Sequence, residues 1–378
     1  MVERMDRRGF VKRTALGAAG AGLLGACGNT GAVGGEAGGE GVAGPEITWR
    51  VASSFPRGLD IIYGSAETLA QRVSDMTGGR FRLRVYPAGE LVPGLQVMDA
   101  VQNGTVQAGH SAGYYYTGKH PALALDTGVP FGLTARQQNA WLYEGGGLEL
   151  VRGIYDDFGI INFPCGNTGV QMGGWFRAPI GSLADLRGLR MRIPGVGGEV
   201  MSRLGVSVQL LAGGEIYLAL ERGAIDATEW VGAYDDEKLG FHRIARYYYY
   251  PGWHEPGVTL SLMVNRRAWD ELPELYKRVL ETAARATNED MLARYDAANP
   301  AALARLVNQH GIQVRAFPQD FLQAAWRESN AYFEETAAAN ADFARVYRPW
   351  KEFRDAAFRY FAGNEQTYER FAFAQVLG

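Results

Sequence analysis

The residues best suited to chemistry lie in two short stretches. In ATEWVGAYDDE, residues 227–237, one carboxylate, Glu229, stands between a strand-like apolar run and a Gly-Ala-Tyr turn, with Asp235 and Asp236 just beyond. In MRIPG, Arg192 leaves a strand directly before Pro-Gly. A guanidinium so placed can aim its planar fork at a carboxylate and bind it through two parallel hydrogen bonds. Composition alone would make it a surface ion pair. No H-E-x-x-H is present, and no G-x-G-x-x-G follows a strand and opens a helix.

The chain that must position these groups has 378 residues, 47% hydrophobic and 12% aromatic, enough to bury a large core and to form two lobes. Its 38 basic and 41 acidic residues give a net charge of -3 and are mixed along the chain. No basic face exists to track a phosphate backbone, which excludes nucleic acid as a partner. From Glu46 onward strands alternate with amphipathic helices, the pattern of an α/β fold. ITWRVASSF and FRLRVYPAG alternate as strands, and helical spacing from Gly58 to Met76 separates them. INFPCGNTGVQMGGWF is a strand-like run long enough to cross between lobes, and RYYYYPGWHEPGVTLSLMVN suggests a second crossing. Between the crossings lie the Arg192 strand, the helix GGEVMSRLG, the strand VSVQLLA, and the helix GEIYLALERGAID that feeds Glu229. From Leu272 the pattern is helical apart from the strand IQVRAF. The expected organisation is lobe I from residues 46–165 plus about 255–320, lobe II from 166–254, and C-terminal helices over 321–378.

Residues 1–27 read as an export signal: Arg7-Arg8-Gly9-Phe10-Val11-Lys12 fits the twin-arginine pattern and precedes an apolar stretch from Thr14 to Ala26. Its end, Leu24-Gly25-Ala26-Cys27, resembles a lipobox, which predicts lipidation of Cys27. Residues 28–45, rich in glycine, form a tether. The mature protein is expected in the periplasm or at the outer face of the cytoplasmic membrane. The only other cysteine, Cys165, is expected to be a buried packing residue.

GNTGVQMGGWF, LRGLRMRIPG, GGEIYLALERGAIDATEWVGAYDDEKLGFH and YYYYPGWHEPG together resemble the solute-binding subunits of tripartite ATP-independent periplasmic (TRAP) transporters, DctP-like, in the branch that captures 2-oxo and 2-hydroxy monocarboxylates such as pyruvate or lactate. The resemblance implies a two-lobed periplasmic-binding-protein-like fold, class II-like, with long hinge-spanning and C-terminal helices. It also implies delivery to a membrane permease, no enzymatic activity, and Arg192 as the carboxylate-binding arginine. Glu229 beside an anionic guest would repel it, and a cation removes the conflict. The Glu229 carboxylate, the Gln171 amide oxygen and the Trp230 backbone carbonyl are hard oxygen ligands that suit Na+ or Ca2+. Asp235 is the candidate extra acid that would favour Ca2+; the alternative for Asp235 and Asp236 is a solvated helix cap.

Phe55, Tyr115, Tyr116, Asn167 and Trp230 complete the expected substrate-binding set, with Tyr114, Trp175 and Phe176 as further aromatic candidates. His254 is expected to be a satisfied structural histidine. The aromatics between Glu328 and Phe373 exceed what one docking face needs, and in the branch resembled the C-terminal helix makes a dimer, so a homodimer is expected. Two alternatives remain: a secreted metal-assisted enzyme acting on a 2-oxo acid, which would need a positioned general base, and a binding protein for another carboxylate, such as a dicarboxylate.

Overall fold

The structure is a computed structural model that describes residues 44–377. The export signal, Cys27 and the start of the tether lie outside the described residues. Among the described residues eleven strands form two mixed sheets: β1 (Ile47–Ser53), β2 (Phe81–Tyr86), β3 (Ala108–Ser111), β4 (Ile160–Asn167), β5 (Gly174–Phe176), β6 (Arg190–Arg192), β7 (Ser207–Gln209), β8 (Ala227–Thr228), β9 (Tyr247–Tyr250), β10 (Thr259–Asn265) and β11 (Gln313–Ala316). The first sheet has the order β2-β1-β3-β10-β4 and the second β11-β9-β5-β8-β6-β7.

The first sheet begins as a parallel unit. β1 and β2 pair in parallel across the helix Ile62–Met76, whose buried Ile62, Ala66, Leu69 and Val73 recur at helical spacing. Burying each such Leu or Val side chain contributes about 1.5–3 kcal/mol. β10 closes the sheet antiparallel to both β3 and β4. Cys165 of β4 is buried, and its thiol is pushed up to about 12 by burial alone among raising causes, which keeps it inert.

The chain passes between the sheets twice near the site, from β4 to β5 and from β9 to β10. The two connections hydrogen-bond to each other: Thr168 N donates to Val258 O at 2.9 Å, Gly252 N to Gln171 O at 3.1 Å and Gly173 N to Tyr249 O at 2.7 Å. That contact is close enough to demand glycine, since a Cβ on Gly252 would lie 2.6 Å from the Gln171 carbonyl carbon. A third connection is the helix Glu274–Asn308, which packs on β4 and on the helix Ala233–Leu239 before reaching β11. β11 pairs with β9 in the second sheet, whereas the sequence reading carries residues up to about 320 with the first lobe. Three of its four residues are exposed at a sheet edge, and too little apolar surface marks which sheet they join.

Candidate functional site

The site forms where β6 and β8 end beside the two connections. β6 pairs in parallel with β8, with Arg192 opposite Thr228, and Glu229 N donates to Arg192 O at 3.3 Å. This register sets the Arg192 guanidinium beside the Glu229 carboxylate. Arg192 is only 1% exposed. Its Nε donates to Leu211 O at 3.1 Å, and its Nη1 donates to Glu229 O at 3.2 Å and to Glu229 Oε1. The guanidinium lies over the Trp230 ring, 5.2 Å from its centroid, a cation–π contact. Burial opposes its charge, but Glu229 and the neighbouring Tyr115, Tyr114 and Glu255 hold it above the ordinary arginine value.

The second connection brings two more groups. His254 Nε2 lies 3.3 Å from Glu229 Oε2, and Glu229, His254 and Glu255 offer ligand atoms all within 4.8 Å of one another. Burial, then the Glu229 charge, push the Glu255 carboxyl well above the usual range, while Arg192 pulls it back. Tyr114 OH donates to Glu255 Oε2 at 3.4 Å. From the first connection, Gln171 Nε2 donates to Thr168 Oγ1 at 3.1 Å, and the Gln171 side chain also hydrogen-bonds toward Glu255, helping to pull its carboxyl down. Among the described residues, Gln171 Oε1 and Arg192 Nη2 are buried without a hydrogen-bond partner, a costly condition that ligation would relieve. Two carboxylates and an unpaired amide oxygen form an all-oxygen donor set that fits a hard cation such as sodium or calcium.

The sequence-predicted residues fall into two groups. Arg192, Glu229, Gln171 and Trp230 converge, and Phe55, Tyr115 and Tyr114 wall the same space with Trp230. Phe55 meets Trp230 edge-on across the cleft at 6.3 Å. Others point elsewhere. Tyr116 turns into the first lobe, where its hydroxyl bonds Ser111 Oγ at 2.9 Å and accepts from Met98 N. Asn167 ties the end of β4 to Thr259 and accepts from Gly169 N, securing the crossing. Trp175 stacks on Tyr248 and donates to Asp236. Asp235 does not join the Glu229 cluster: its Oδ2 accepts from Tyr295 OH at 2.7 Å and Trp230 Nε1 at 3.4 Å. Nor is it a solvated cap, since Asp235 and Asp236 are both buried. The second acid is Glu255, which the sequence alone does not single out. Its adjacency to Gln171 through the paired connections is a tertiary fact, and the one local hint is a carboxylate next to His254 in GWHEPG.

An expectation that the chain lacks G-x-S-x-G is wrong, since Gly109-His110-Ser111-Ala112-Gly113 spells it. Ser111 is fully buried and bonds Ser54 Oγ and Tyr116 OH, while the His110 ring bonds Ser53 and Ser65. Burial pushes His110 down to about 3. This serine has no histidine partner and no access to a substrate, unlike a nucleophile elbow.

Comparison with known proteins gives a consistent answer. The model of the bacterial extracellular solute-binding protein family 7, DctP, matches residues 53–340. A monocarboxylate 2-oxoacid-binding periplasmic protein of Nostoc sp. is 56% identical over 328 residues, covering 87% of this chain and 90% of its own. A TRAP transporter solute-binding protein from Bordetella bronchiseptica, solved as a mixed-occupancy dimer with copurified calcium and picolinate in one active site, is 48% identical, covers 88% of this chain and 99% of its own, and superposes with a TM-score of 0.87. One from Pseudoalteromonas atlantica, solved with sodium and pyruvate, is 39% identical, covers 86% of this chain and 99% of its own, and gives 0.84. The two-lobed α/β fold, the order of the motifs and these likenesses agree: the chain belongs to the DctP family of bacterial extracellular solute-binding proteins, which serve TRAP transporters.

Proposed function

We propose that this protein captures a 2-oxo or 2-hydroxy monocarboxylate of the pyruvate or lactate kind together with a sodium or calcium ion, and delivers it to the permease subunits of a TRAP transporter. One juxtaposition carries the reading: a buried guanidinium with an unpartnered Nη2 stands beside two buried carboxylates and an unpartnered amide oxygen. Arg192 Nη2 is the donor for the guest's carboxylate, held by the bonds of Nε and Nη1 to the chain. Phe55, Trp230 and Ile62 supply apolar walls that keep water from these bonds. A bound hard cation supplies the positive charge that lets Glu229, Glu255 and an anionic guest coexist, through Glu229, Glu255, Gln171 Oε1 and the Trp230 carbonyl. Arg192 set against Glu229, Glu255 and a monocarboxylate leaves two negative charges uncompensated, the charge of one calcium ion. The similar proteins of Bordetella bronchiseptica, with calcium and picolinate, and Pseudoalteromonas atlantica, with sodium and pyruvate, support the same chemistry.

Binding without turnover follows from what surrounds the guest. His254 Nε2 is engaged by Glu229, and the Ser111 hydroxyl is sealed in the first lobe, which supports binding rather than turnover. Native mass spectrometry of the protein as purified tests the reading. A mass increment of one small monocarboxylate plus calcium is expected; a dicarboxylate, or a guest carried without any cation, would overturn it.

Three finer features belong to the same proposal. The lobes hinge at the two paired connections and close on the guest. Export through the twin-arginine route and lipidation of Cys27 tether the protein outside the cytoplasmic membrane. No helix among the described residues is long and apolar enough to cross a membrane. Tyr360, Tyr368, Phe371 and Phe373 are each at least 60% exposed on the last two helices, and a second copy of the chain is proposed to cover them. The support is that Phe333, Phe343, Tyr347 and Trp350 already fill the intramolecular face, with light scattering as the check.

A further inference from the structure

His254 is wholly buried beside Glu229, yet it has no partner of its own on the other side: among the described residues, Nδ1 is buried without a hydrogen bond. A histidine retained only for packing would not leave a buried polar atom stranded. Its neighbours fix the ring. Trp253 meets it edge-on at 5.6 Å, and the helix Gly195–Arg203 presses on the other side so closely that a Cβ on Gly197 would lie 3.0 Å from His254 Cβ. The ring nitrogen that faces the cluster is Nε2, 3.3 Å from Glu229 Oε2. A carboxylate oxygen accepts, so the hydrogen of this contact sits on Nε2.

The consequence concerns Glu229. Its Oε1 is taken by Arg192 and its Oε2 by His254, so the plane of the carboxylate is set from two sides. Arg192 comes from β6 and His254 from the connection between the sheets. A carboxylate held at both oxygens keeps its remaining lone pairs fixed, with a Glu255 oxygen within 4.8 Å. We propose that His254 is a positioning residue for the cation site: its Nε2–H orients Glu229 for cation binding, and the imidazole itself is not a ligand. This rests on the cation-dependent reading given above. It also assigns the second connection a purpose beyond joining the sheets, since movement of that segment would change the aim of Glu229.

The test is calcium titration by calorimetry at saturating pyruvate, on the full mature chain, comparing the wild type with His254→Gln, His254→Asn and His254→Leu. The Gln amide nitrogen reaches the place of Nε2; the shorter Asn amide does not, and Leu has no donor. Removal of a group that orients a ligand typically costs about 10–100-fold in metal affinity, so that loss is expected for Asn and Leu, with rescue by Gln to within a few-fold of wild type. A role in packing alone predicts no such rescue, and Asn against Gln still decides the matter if the Leu variant does not fold. Equal calcium affinity in wild type, Gln and Asn would overturn the proposal. So would zinc binding more tightly than calcium in the wild type and losing that advantage in His254→Gln, because that marks the imidazole as a ligand. Wild-type pyruvate binding that ignores calcium and sodium altogether would instead sink the underlying reading of the site, and this inference with it.

Discussion

Two pairs of buried carboxylates lie at the heart of the second lobe, and they are held in opposite ways. Glu229 and Glu255 meet a guanidinium, an imidazole and unpaired oxygen and nitrogen atoms. Asp235 and Asp236 meet only neutral donors: Trp230 and Tyr295 bond Asp235, while Trp175 Nε1 at 2.8 Å, Tyr248 OH at 2.7 Å and Val231 N bond Asp236. Each aspartate thus ties one indole and one phenol together, and the helix Ala233–Leu239 is pinned where it starts. Neutral donors offset burial only in part, so Asp235 is pushed up to about 6 and Asp236 to about 7, burial being the main cause. The difference teaches what a buried acid is for: one braced by aromatic donors fastens a fold, although Asp235 Oδ1 is left without a bond, and one set against a guanidinium with a spare donor awaits a guest.

The contrast breaks first at Arg192. Arg192→Ala leaves Glu229 buried without its guanidinium and removes the donor for the guest, so calorimetry with pyruvate and calcium should show a loss of about 2–5 kcal/mol. Near-native affinity in that variant would mean that the first pair is structural like the second. The aspartate pair should respond to pH instead. Their folded-state values lie above that of an unfolded aspartate, so the folded protein binds protons more readily, and stability rises as pH falls from about 8 through 7 and 6 toward the ordinary carboxylate range near 4. For Asp236 the full effect is at most about 4 kcal/mol. Thermal denaturation of Asp236→Asn, with calcium in excess, should show a flatter slope between pH 5 and 8 than the wild type, while the cation dependence of pyruvate binding stays intact. An unchanged slope would show that this acid is not the one titrating.

How much of this was legible before folding follows from the same contrast. Arg192, Glu229 and Gln171 were legible through the family resemblance of their motifs; the strand meeting Pro-Gly only permits Arg192 to reach a carboxylate, and composition alone would leave it a surface ion pair. The alternation of strands and helices likewise shows the α/β class and both crossings near the site. Glu255 and the partners of Asp235 were not legible, because each depends on which residue lies across from it. Glu255 gains its meaning from the hydrogen bond between Gly252 and Gln171, and Asp235 loses its apparent role to Tyr295, sixty positions further along. Tyr114, Tyr115 and Tyr116 form one turn of 3-10 helix, so successive side chains point in different directions. Sequence could name the cluster but not choose within it.

A third acid, at the rim, shows what burial adds. Asp60 precedes the helix Ile62–Met76 of the first lobe and reaches across the cleft mouth to the helix Ala233–Leu239 of the second: Tyr234 OH donates to its Oδ2 at 3.0 Å, and Lys238 Nζ bonds its Oδ1 while lying 4.3 Å from the Tyr234 ring centroid. Any movement that parts the sheets must break this contact, so it fastens the closed arrangement. With Asp60 about half exposed and Lys238 a third exposed, water and salt screen the pair, and its contribution is about 0.2–1 kcal/mol. Stopped-flow fluorescence of ligand release should therefore show Lys238→Ala and Asp60→Ala releasing pyruvate a few-fold faster at most, with capture nearly unchanged and the difference fading as salt is raised. Release that is as slow in both variants as in the wild type at low salt would place the whole of the closing free energy on the buried groups, where Arg192 and Glu229 act.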